Sequence, residues 1–466
     1  AFGVMLMWLW RSLVRRKHRA WQLAVALLVG STAAHLAKGL DFEEATSGIV
    51  LLVALVRYRR EFSAGGDPAV RWPVARMAAL GAALASLCWL RSVDRMDFSA
   101  RIEDALLIVL GVLAFRALYL WLRPIVAHGC VDPAQRLQAE ELVQSHGGDS
   151  LAFFALRRDK SYFFSPSGRS FLAYRVVGGC ALVSGDPIGA ADEVGELVEE
   201  FRRVARARAW RLAFLGVGQT LLPLYKKLGF RSLYLGDEAI VRPQEFSLEG
   251  RAIRKVRQSV SRLERAGYRT RFLAAHELDD TLRTELSRVS EEWRGRWPER
   301  GFTMAMDSLF GYDEGIFAIA EDAAGRIGGF IQLVPSPASG GYSLATMRRV
   351  RDTPNGLMEF LVVATIDWGR ELGVPELSLN FSVMGGVLRN ASSRPKRMLR
   401  FALVKLDRVF QIERLHSFNR KFDPEWRARY VCCERWSELP AVSVAYLHAE
   451  SLLTPPGPWT KSEAIA

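Results

Sequence analysis

Residues 347–362 read MRRVRDTPNGLMEFLV and combine three features that bind anions. Two arginines, Arg348 and Arg349, end a predicted strand, a Thr-Pro-Asn-Gly turn follows, and a helix begins directly after the turn. Guanidinium groups bind carboxylates and phosphates through paired hydrogen bonds, and the first turn of a helix presents free backbone N–H groups. The stretch therefore predicts a strand–turn–helix unit that holds an anion.

The segments on either side of this unit predict an antiparallel meander, a helix and one more strand. Apolar runs at 315–320, 327–334 and 341–347 are typical of strands. The helix after the turn ends at Gly373, a natural C-cap, and the run ELSLNFSV at 376–383 predicts the next strand. This order of elements indicates an α+β fold.

The preceding part of the soluble chain repeats this order. Strands are predicted at 151–156, 171–177, 180–184 and 211–217. A helix follows the turn GDPIG, and a second helix ends at Gly229. We therefore predict two related domains, at 150–245 and 246–450, with a helical linker at 126–149 and a flexible tail at 451–466.

The first 125 residues are rich in apolar side chains. Apolar stretches occur at 21–37, 45–56, 77–90 and 105–122, and basic, acidic, basic and mixed loops alternate between them. This alternation follows the positive-inside rule, although several stretches are shorter than the roughly 20 residues that span a bilayer. Residues 1–125 are thus predicted to be transmembrane helices, the truncated end of a longer membrane domain, with everything after Arg123 cytoplasmic.

Composition indicates an anionic partner. The chain has 466 residues and a formal charge of +13, which suggests nucleic acid, an anionic membrane surface, or both. Its five cysteines and seven histidines show no metal-ligand spacing and no disulfide framework, so we expect no metal site and a reducing compartment.

Seven motifs resemble one family. The region from about 150 to 450 is similar to the C-terminal aminoacyltransferase portion of the multiple peptide resistance factor family, the phosphatidylglycerol lysyltransferases. The motifs are SGDPIG (184–189), GRAIRKVRQSVSRLERAGY (250–268), SEEW (290–293), RGFTM (300–304), MRRVRDTPNGLMEFLV (347–362), LSLNFSV (377–383) and FNRKFDPEWRARY (418–430). The resemblance implies tandem GNAT-like acyltransferase domains behind an α-helical membrane portion.

The resemblance also implies a reaction. An aminoacyl-tRNA donates an amino acid, lysine or another, to the glycerol hydroxyl of phosphatidylglycerol. The cationic lipid that results reduces the negative surface charge of the bacterial inner membrane and gives resistance to cationic peptides. No metal and no organic cofactor is needed, because the ester of the donor is already activated.

We assign Arg348 to the anionic substrate, with the lipid phosphate as the expected group. The turn carries one glycine, which fits a single phosphate better than the extended diphosphate of coenzyme A. Asn355 and Gly356 are expected to shape the helix N-terminus. Arg349 is either a second phosphate ligand or a solvated partner of Asp352.

The stretch 251–271 carries eight basic residues and one acid. On a helix it directs Val256, Val260 and Leu263 toward the core. The exposed basic face is predicted to contact tRNA phosphates or anionic headgroups, and a merely solvated helix remains the alternative. The phosphate-binding candidates are Arg254, Arg257, Arg262 and Arg349.

The remaining candidates surround the expected aminoacyl pocket. By resemblance, Glu291 or Glu292 holds the substrate amino group, although an exposed helix face explains either residue alone. Compensation of the helix dipole likewise explains Glu359. The substrate-binding candidates are Glu291, Glu292, Phe302, Asn355, Gly356, Glu359 and Phe381.

Two further residues join Arg348 as catalytic candidates. Asn380 lies in an otherwise apolar strand, where a buried amide needs partners. Lys421 matches a cation of the family and is placed to stabilise an oxyanion. One position departs from the family: many lysyl-transferring members carry an acid three residues before the arginine, and this chain has Ala345. The identity of the transferred amino acid is therefore open.

Three other functions compete with this interpretation. A coenzyme A-dependent acyltransferase of the same fold is one, and a tRNA-dependent transferase that acts on a peptidoglycan precursor is another. The third is a non-catalytic module that binds anionic lipid.

Overall fold

The computed structural model describes residues 2–39, 42–62, 64, 70–94, 100–122, 132–251, 253–299, 301–383 and 412–453. The chain divides into two compact units. One consists of Ala1–His128 with Arg202–Arg211, and the other of Gly129–Phe201 with Leu212–Ala466. Residues 126–131 of the predicted linker and 454–466 of the predicted tail lie outside the described residues.

The N-terminal unit is helical, as predicted. Its helices are α1 (Phe2–Val14), α2 (His18–Gly39), α3 (Phe42–Arg57), α4 (Arg71–Asp94) and α5 (Ala100–Trp121). Trp21 donates its indole N–H to the carbonyl of Leu55 at 2.8 Å and so ties α2 to α3. Ala20, Ala24 and Leu122 form a small buried cluster with Leu9.

The predicted crossing of a membrane is not borne out. In the part of the chain that the structure describes, none of the helices combines the length and the apolar content that a bilayer crossing requires.

The first part of the other unit begins with helix α6 (Pro133–His146), which Asp132 caps through a hydrogen bond from the Ala134 N–H. Helices α7 (Val194–Ala207), of which residues 202–207 are grouped with the N-terminal unit, and α8 (Leu222–Lys227) follow. The strands are β1 (Ser161–Phe164), β2 (Ser170–Val177), β3 (Cys180–Ser184), β4 (Ile188–Gly189), β5 (Arg211–Val217) and β6 (Arg231–Val241).

The second part repeats the meander, helix and strand. Its helices are α9 (Arg254–Arg265), α10 (Asp280–Arg294), α11 (Leu357–Glu371), α12 (Ile412–Asn419) and α13 (Leu439–Ala449). Its strands are β7 (Arg269–Ala274), β8 (Ile316–Glu321), β9 (Ile327–Ser336), β10 (Gly341–Arg349), β11 (Leu377–Val383) and β12 (Glu425–Cys433). The predicted α+β fold class is confirmed, and Val256, Val260 and Leu263 of α9 are buried as expected.

One continuous sheet joins the two parts. Its strand order is β1-β2-β3-β5-β12-β6-β11-β10-β9-β8-β7, with β4 paired to β2. Strand β6, from the first part, lies between β12 and β11 of the second part and pairs antiparallel with both. Strand β12 in turn separates β5 from β6. The last strand of each part therefore completes the sheet of the other.

One predicted strand is a helical turn. The sequence predicts a strand at 151–156, but Ala152–Leu156 forms a fully buried 3₁₀ helix. The Asp149 carboxylate accepts a hydrogen bond from the Leu151 N–H at 2.8 Å and starts the turn. A short apolar run has no periodicity that separates a buried strand from a buried helical turn, so local capping decides the outcome.

Candidate functional site

Arg348 lies near the end of β10 and is mostly buried. Its guanidinium pairs with Glu299, and the second oxygen of that carboxylate accepts from Arg294 at 3.2 Å. The Nε atom of Arg348 has no hydrogen-bond partner among the described residues. Burial lowers the pKa of Arg348 from its ordinary value, and the Glu299 carboxylate opposes that shift. Arg348 is thus a largely desolvated cation with one donor unused.

The Thr-Pro-Asn-Gly turn connects β10 to α11, as the sequence predicts. Gly356 has a φ of +98°, and a Cβ atom there would come within 2.6 Å of the Ser259 side chain, so only glycine fits. Asn355 is exposed, and its carbonyl accepts a hydrogen bond from Arg262 at 3.1 Å. These contacts fix the start of α11 against α9.

Glu359 and Lys421, both candidates from the sequence, are paired with each other. The Lys421 Nζ lies 2.7 Å from the Glu359 carboxylate and 5.2 Å from the centre of the Phe418 ring. Glu359 sits in the first turn of α11 and is mostly buried. The pair therefore anchors a partly exposed cation beside the helix N-terminus.

Asn380 is held in a left-handed conformation, with a φ of +80°, at a bulge of β11. Its amide nitrogen donates to the carbonyls of Met304 and Leu344, both at 3.1 Å. Its amide oxygen accepts from the Phe381 N–H at 2.6 Å. The Asn380 side chain thus forms hydrogen bonds with three backbone groups and holds the end of β11 in place.

Strands β10 and β11 run parallel, with Ser343 opposite Ser378. Their carboxyl ends therefore lie at the same edge of the sheet, which brings Arg348 and Phe381 to one side of it. Asn419, two residues before Lys421, donates to the carbonyl of Leu379 in β11 at 3.2 Å. This contact places the segment that carries Lys421 beside the same strand.

Two positions of the expected pocket are buried in apolar surroundings. Ala345 is 4% exposed and belongs to a cluster with Val334 and Met304, against which Phe381 packs. Phe302 is fully buried, and the Lys160 Nζ lies 4.8 Å from the centre of its ring. Because Lys160 is fully buried too, the pKa of this amine is well below its usual range.

The two glutamates of α10 have different surroundings. Glu292 accepts a hydrogen bond from the Arg351 N–H at 3.0 Å and pairs with Arg288 at 3.5 Å. It therefore ties the turn after β10 to α10. Glu291 lies on the exposed face of the helix.

The basic candidates also divide into two groups. Arg254 and Arg262 are exposed on α9, whereas Arg257 donates to the carbonyls of Leu248 at 2.5 Å and Gly250 at 3.4 Å. Arg257 is thus committed to the segment before the helix. Arg349 is half-buried at the end of β10.

Sequence reasoning missed a buried ionic cluster at the junction of the two parts. Arg429 of β12 donates to Glu238 of β6 at 2.9 and 2.6 Å, and to Asp149 at 2.7 Å. Ser150 and Ser378 donate to the other oxygen of Glu238, both at 2.5 Å. Burial alone lowers the pKa of Arg429, but the two carboxylates outweigh this effect and raise it above its usual range.

Asp186 borders this cluster. It accepts a hydrogen bond from the Gly218 N–H at 2.8 Å through one oxygen. Its other oxygen is buried and has no hydrogen-bond partner among the described residues. Burial and the nearby Asp149 raise the pKa of Asp186 to about 7, against the opposing effects of the Gly218 N–H and Arg429. Asp186 lies in the motif SGDPIG, and Arg429 of the cluster lies in FNRKFDPEWRARY. Both residues were therefore within motifs that the sequence had already singled out.

A cavity of about 430 Å³ lies between α9, β7 and α11. Aromatic and acidic side chains line it, among them Phe272, Trp368 and Asp367. None of the sequence-predicted site residues, all of which the structure describes, contributes to its wall. The candidate site therefore lies elsewhere, at the edge of the sheet where β10 and β11 end.

Comparison with sequence families identifies this region. The family model described as phosphatidylglycerol lysyltransferase, C-terminal, matches residues 140–433. The lysylphosphatidylglycerol biosynthesis bifunctional protein LysX of Rhodococcus jostii (strain RHA1) is 35% identical over 398 residues, which cover 83% of this chain and 35% of that protein. LysX of Mycobacterium tuberculosis (strain ATCC 25618 / H37Rv) is 35% identical over 314 residues, 66% of this chain and 27% of that protein. The chain thus spans about a third or less of the length of these curated relatives.

Two solved structures share the fold. L-PGS from Bacillus licheniformis is 25% identical with a TM-score of 0.62, over 72% of this chain and 100% of that chain. The C-terminal domain of a putative lysylphosphatidylglycerol synthetase from Agrobacterium fabrum is 24% identical with a TM-score of 0.58, over 68% of this chain and 96% of that chain. At 24% identity, the similarity to the Agrobacterium fabrum structure shows a shared fold only.

Proposed function

The chain belongs to the family of phosphatidylglycerol lysyltransferase C-terminal domains, and from this premise we propose that it transfers an aminoacyl group from aminoacyl-tRNA to phosphatidylglycerol. The glycerol hydroxyl oxygen attacks the ester carbonyl, and the bond from that carbonyl to the tRNA ribose oxygen breaks. The hydroxyl proton ends on the ribose oxygen, so the products are aminoacyl-phosphatidylglycerol and free tRNA. The donor ester is already activated, and alignment of the two substrates supplies much of the rate.

The burial and hydrogen bonding of Arg348 support this proposal most directly. Its guanidinium is largely buried and has an unused Nε donor, and its partner is the carboxylate of Glu299. A lipid phosphate offers the same two-oxygen geometry as a carboxylate and is able to replace it on the guanidinium. We assign Arg348 to the phosphate of the lipid acceptor, with Glu299 as its counter-ion when the lipid is absent.

Lys421 is proposed to stabilise the tetrahedral oxyanion. The Glu359 carboxylate at 2.7 Å and the Phe418 ring hold its ammonium group in one position. A cation held before the reaction stabilises developing negative charge without reorganisation during it. Asn380 and Phe381 act as positioning residues, because the Asn380 amide fixes the end of β11.

The donor is proposed to approach α9. Arg254 and Arg262 are exposed there, and Arg262 also contacts the turn before α11 through the Asn355 carbonyl. Lysine and arginine contacts to RNA phosphates give sequence-independent affinity. The lipid acceptor places the protein at the bacterial inner membrane, and the cationic product is proposed to give resistance to cationic peptides.

The transferred amino acid is lysine or another. The names of the curated relatives point to lysine, whereas Ala345 leaves an apolar cluster where many lysyl-transferring members have an acid. A carboxylate at that position would favour a dicationic donor, and its replacement removes this preference. We therefore include neutral amino acids among the donors to be tested.

The test is transfer of radiolabel from a panel of aminoacyl-tRNAs into phosphatidylglycerol vesicles by the full chain. Labelled lipid that disappears after RNase treatment supports the proposal and identifies the amino acid. Transfer from an acyl-coenzyme A instead of aminoacyl-tRNA would identify a different donor. Absence of labelled lipid with every donor would contradict transfer and leave lipid binding as the function.

A pair of variants tests the phosphate assignment. We expect Arg348→Ala to lower kcat/KM for phosphatidylglycerol about 100-fold, the range for losing a buried charge-assisted contact, and to leave tRNA binding within about twofold. Arg349→Ala, at the half-buried neighbouring position, is the matched control and should have a smaller effect on lipid use. An equal loss of lipid use and tRNA binding in Arg348→Ala would contradict the assignment.

A further inference from the structure

Two exposed tryptophans precede Glu299, the partner of Arg348, by six and two residues in the chain. Trp293 is 44% exposed and Trp297 is 47% exposed, at the end of α10 and in the segment after it. Among the described aromatic side chains of this unit, only Trp436 is comparably exposed, at 50%. Two large apolar rings within five residues are therefore an unusual surface feature.

The backbone places these rings next to the site. Gly295, with a φ of +60°, ends α10. Four residues later, Glu299 bonds both Arg294 of α10 and Arg348. The Arg351 guanidinium lies 3.9 Å from the position that a Cβ atom would take at Gly295. Trp293, Arg296 and Trp297 lie within two residues of Gly295 and are exposed, as Arg351 is; these four residues at the end of α10 are here named the tryptophan–arginine face.

This surface has the composition of a membrane interface. Arg296 and Arg351 are exposed on it, and exposed carboxylates of Glu291 and Asp352 offset part of their charge. Tryptophan rings partition to the headgroup level of bilayers, and arginines near the surface of an anionic leaflet are attracted to its lipids. Because these charges largely cancel, the two tryptophan rings should contribute most of the free energy of membrane binding. Membrane binding should therefore depend less on salt than a purely ionic contact does.

We propose that the tryptophan–arginine face docks on an anionic bilayer surface and presents Arg348 to the lipid headgroups. The inference rests on the proposed function, since the lipid phosphate assigned to Arg348 must enter beside this face. Single-stranded RNA also stacks on aromatic rings, but the exposed arginines proposed for RNA lie on α9. The face is therefore assigned to the membrane.

The test compares the full chain, the double variant Trp293→Ala/Trp297→Ala and the matched control Trp436→Ala. Vesicles of equal parts phosphatidylglycerol and phosphatidylcholine with brominated acyl chains serve as the probe. We expect them to quench part of the tryptophan fluorescence of the wild type and of Trp436→Ala. The quenched fraction should be clearly smaller in the double variant than in the wild type and in Trp436→Ala, because other exposed tryptophans such as Trp10 and Trp72 are unchanged. The unfolding temperature of the double variant should match that of the wild type.

A second measurement uses the transfer reaction. The double variant should transfer at least about tenfold more slowly to vesicular phosphatidylglycerol, because it lacks the two exposed rings that would enter the bilayer interface. Its rate with dihexanoyl-phosphatidylglycerol below the micelle concentration should be unchanged, since that lipid needs no bilayer docking. An equal loss with both lipids, or unchanged quenching in the double variant, overturns the inference.

A nitrocellulose filter assay with tRNA separates the remaining outcomes. Weaker tRNA retention by the double variant, with vesicle quenching intact, would assign the face to RNA and overturn the inference. If the wild type transfers no amino acid from any donor, the proposed function fails. The quenching result still decides, in that case, whether the face docks on the bilayer.

Discussion

At the scale of single residues, the site depends on charges whose surroundings differ from what their sequence positions suggest. Arg348 is recognisable from the sequence as an anion ligand, but its partner Glu299 is not, because 49 residues separate them. Asn380 is expected from the sequence to need hydrogen-bond partners, and its amide bonds three backbone groups that no local pattern identifies. A side chain's chemistry is fixed by its type, whereas its role is fixed by its neighbours.

The pH dependence of stability is expected to report on Asp186. Its pKa in the folded chain, about 7, lies above the ordinary 3.8, so folding favours the protonated form. The stabilisation from this proton is fully present below about pH 4 and is lost as the pH rises through about 7. Because asparagine cannot ionise, Asp186→Asn should not lose stability as the pH rises through about 7. At pH 8 it should raise the free energy of unfolding by up to about 4 kcal/mol relative to the wild type.

Urea unfolding at pH 5 and pH 8 checks this prediction. Asp192→Asn, which changes an exposed carboxylate, is the matched control and should shift stability by a similar small amount at both pH values. If Asp186→Asn and the wild type lose the same stability between pH 5 and pH 8, the raised pKa is wrong.

At the scale of elements, strands β6, β11 and β12 decide where the site lies. Strand β6 pairs with the other two and carries Glu238, and β12 carries Arg429. These residues form a buried ion pair that Ser150, Ser378 and Asp149 complete. A buried charge network of this kind requires every partner to be in place, so it fixes the register of the strands that carry them.

We expect Arg429→Met to destabilise the chain by about 3–5 kcal/mol, because Glu238 is left buried without its counter-ion. The double variant Arg429→Met/Glu238→Gln should recover part of that loss, as coupled residues do. Thermal unfolding measures both. Arg427→Met, two residues earlier on β12 and 35% exposed in its pair with Glu376, is the control and should cost about 1 kcal/mol or less. Equal losses at the two arginines would contradict the structural role of Arg429.

At the scale of the whole molecule, the two similar parts of the chain share one sheet. The sequence predicts two domains that meet near residue 245, and the last strand before that point, β6, lies between two strands of the second part. Neither predicted domain therefore contains all the strands of its own half of the sheet: the first lacks β12, and the second lacks β6. The shared strands also bring Asp149 and Asp186 near β12.

A fragment of residues 246–453 is expected not to fold cooperatively. Without β6, strands β11 and β12 lose their common neighbour and expose unpaired edges, and Arg429 loses Glu238. A fragment of residues 132–453 retains every strand of the described sheet and is the control, expected to unfold in one transition. Circular dichroism during heating distinguishes the two. A cooperative transition in the shorter fragment would show that the parts fold independently.

The sequence alone determined the local elements and the family. Periodicity and turn residues predicted the meander, the helix α11 and its glycine-ended turn, because these depend on contacts between residues close in the chain. The motifs identified the family and made Arg348 a candidate anion ligand, since residue type carries that chemistry. The 3₁₀ helix at Ala152–Leu156 was missed because a short apolar run lacks a period.

Tertiary structure alone decided which charges meet. The Arg348–Glu299 pair, the Lys421–Glu359 pair and the Arg429–Glu238 pair join residues 49, 62 and 191 positions apart. Strand order sets these contacts, and strand order depends on how the whole sheet buries its apolar faces. A single sequence records no such pairing, so the partners and the raised pKa of Asp186 follow only from the folded chain.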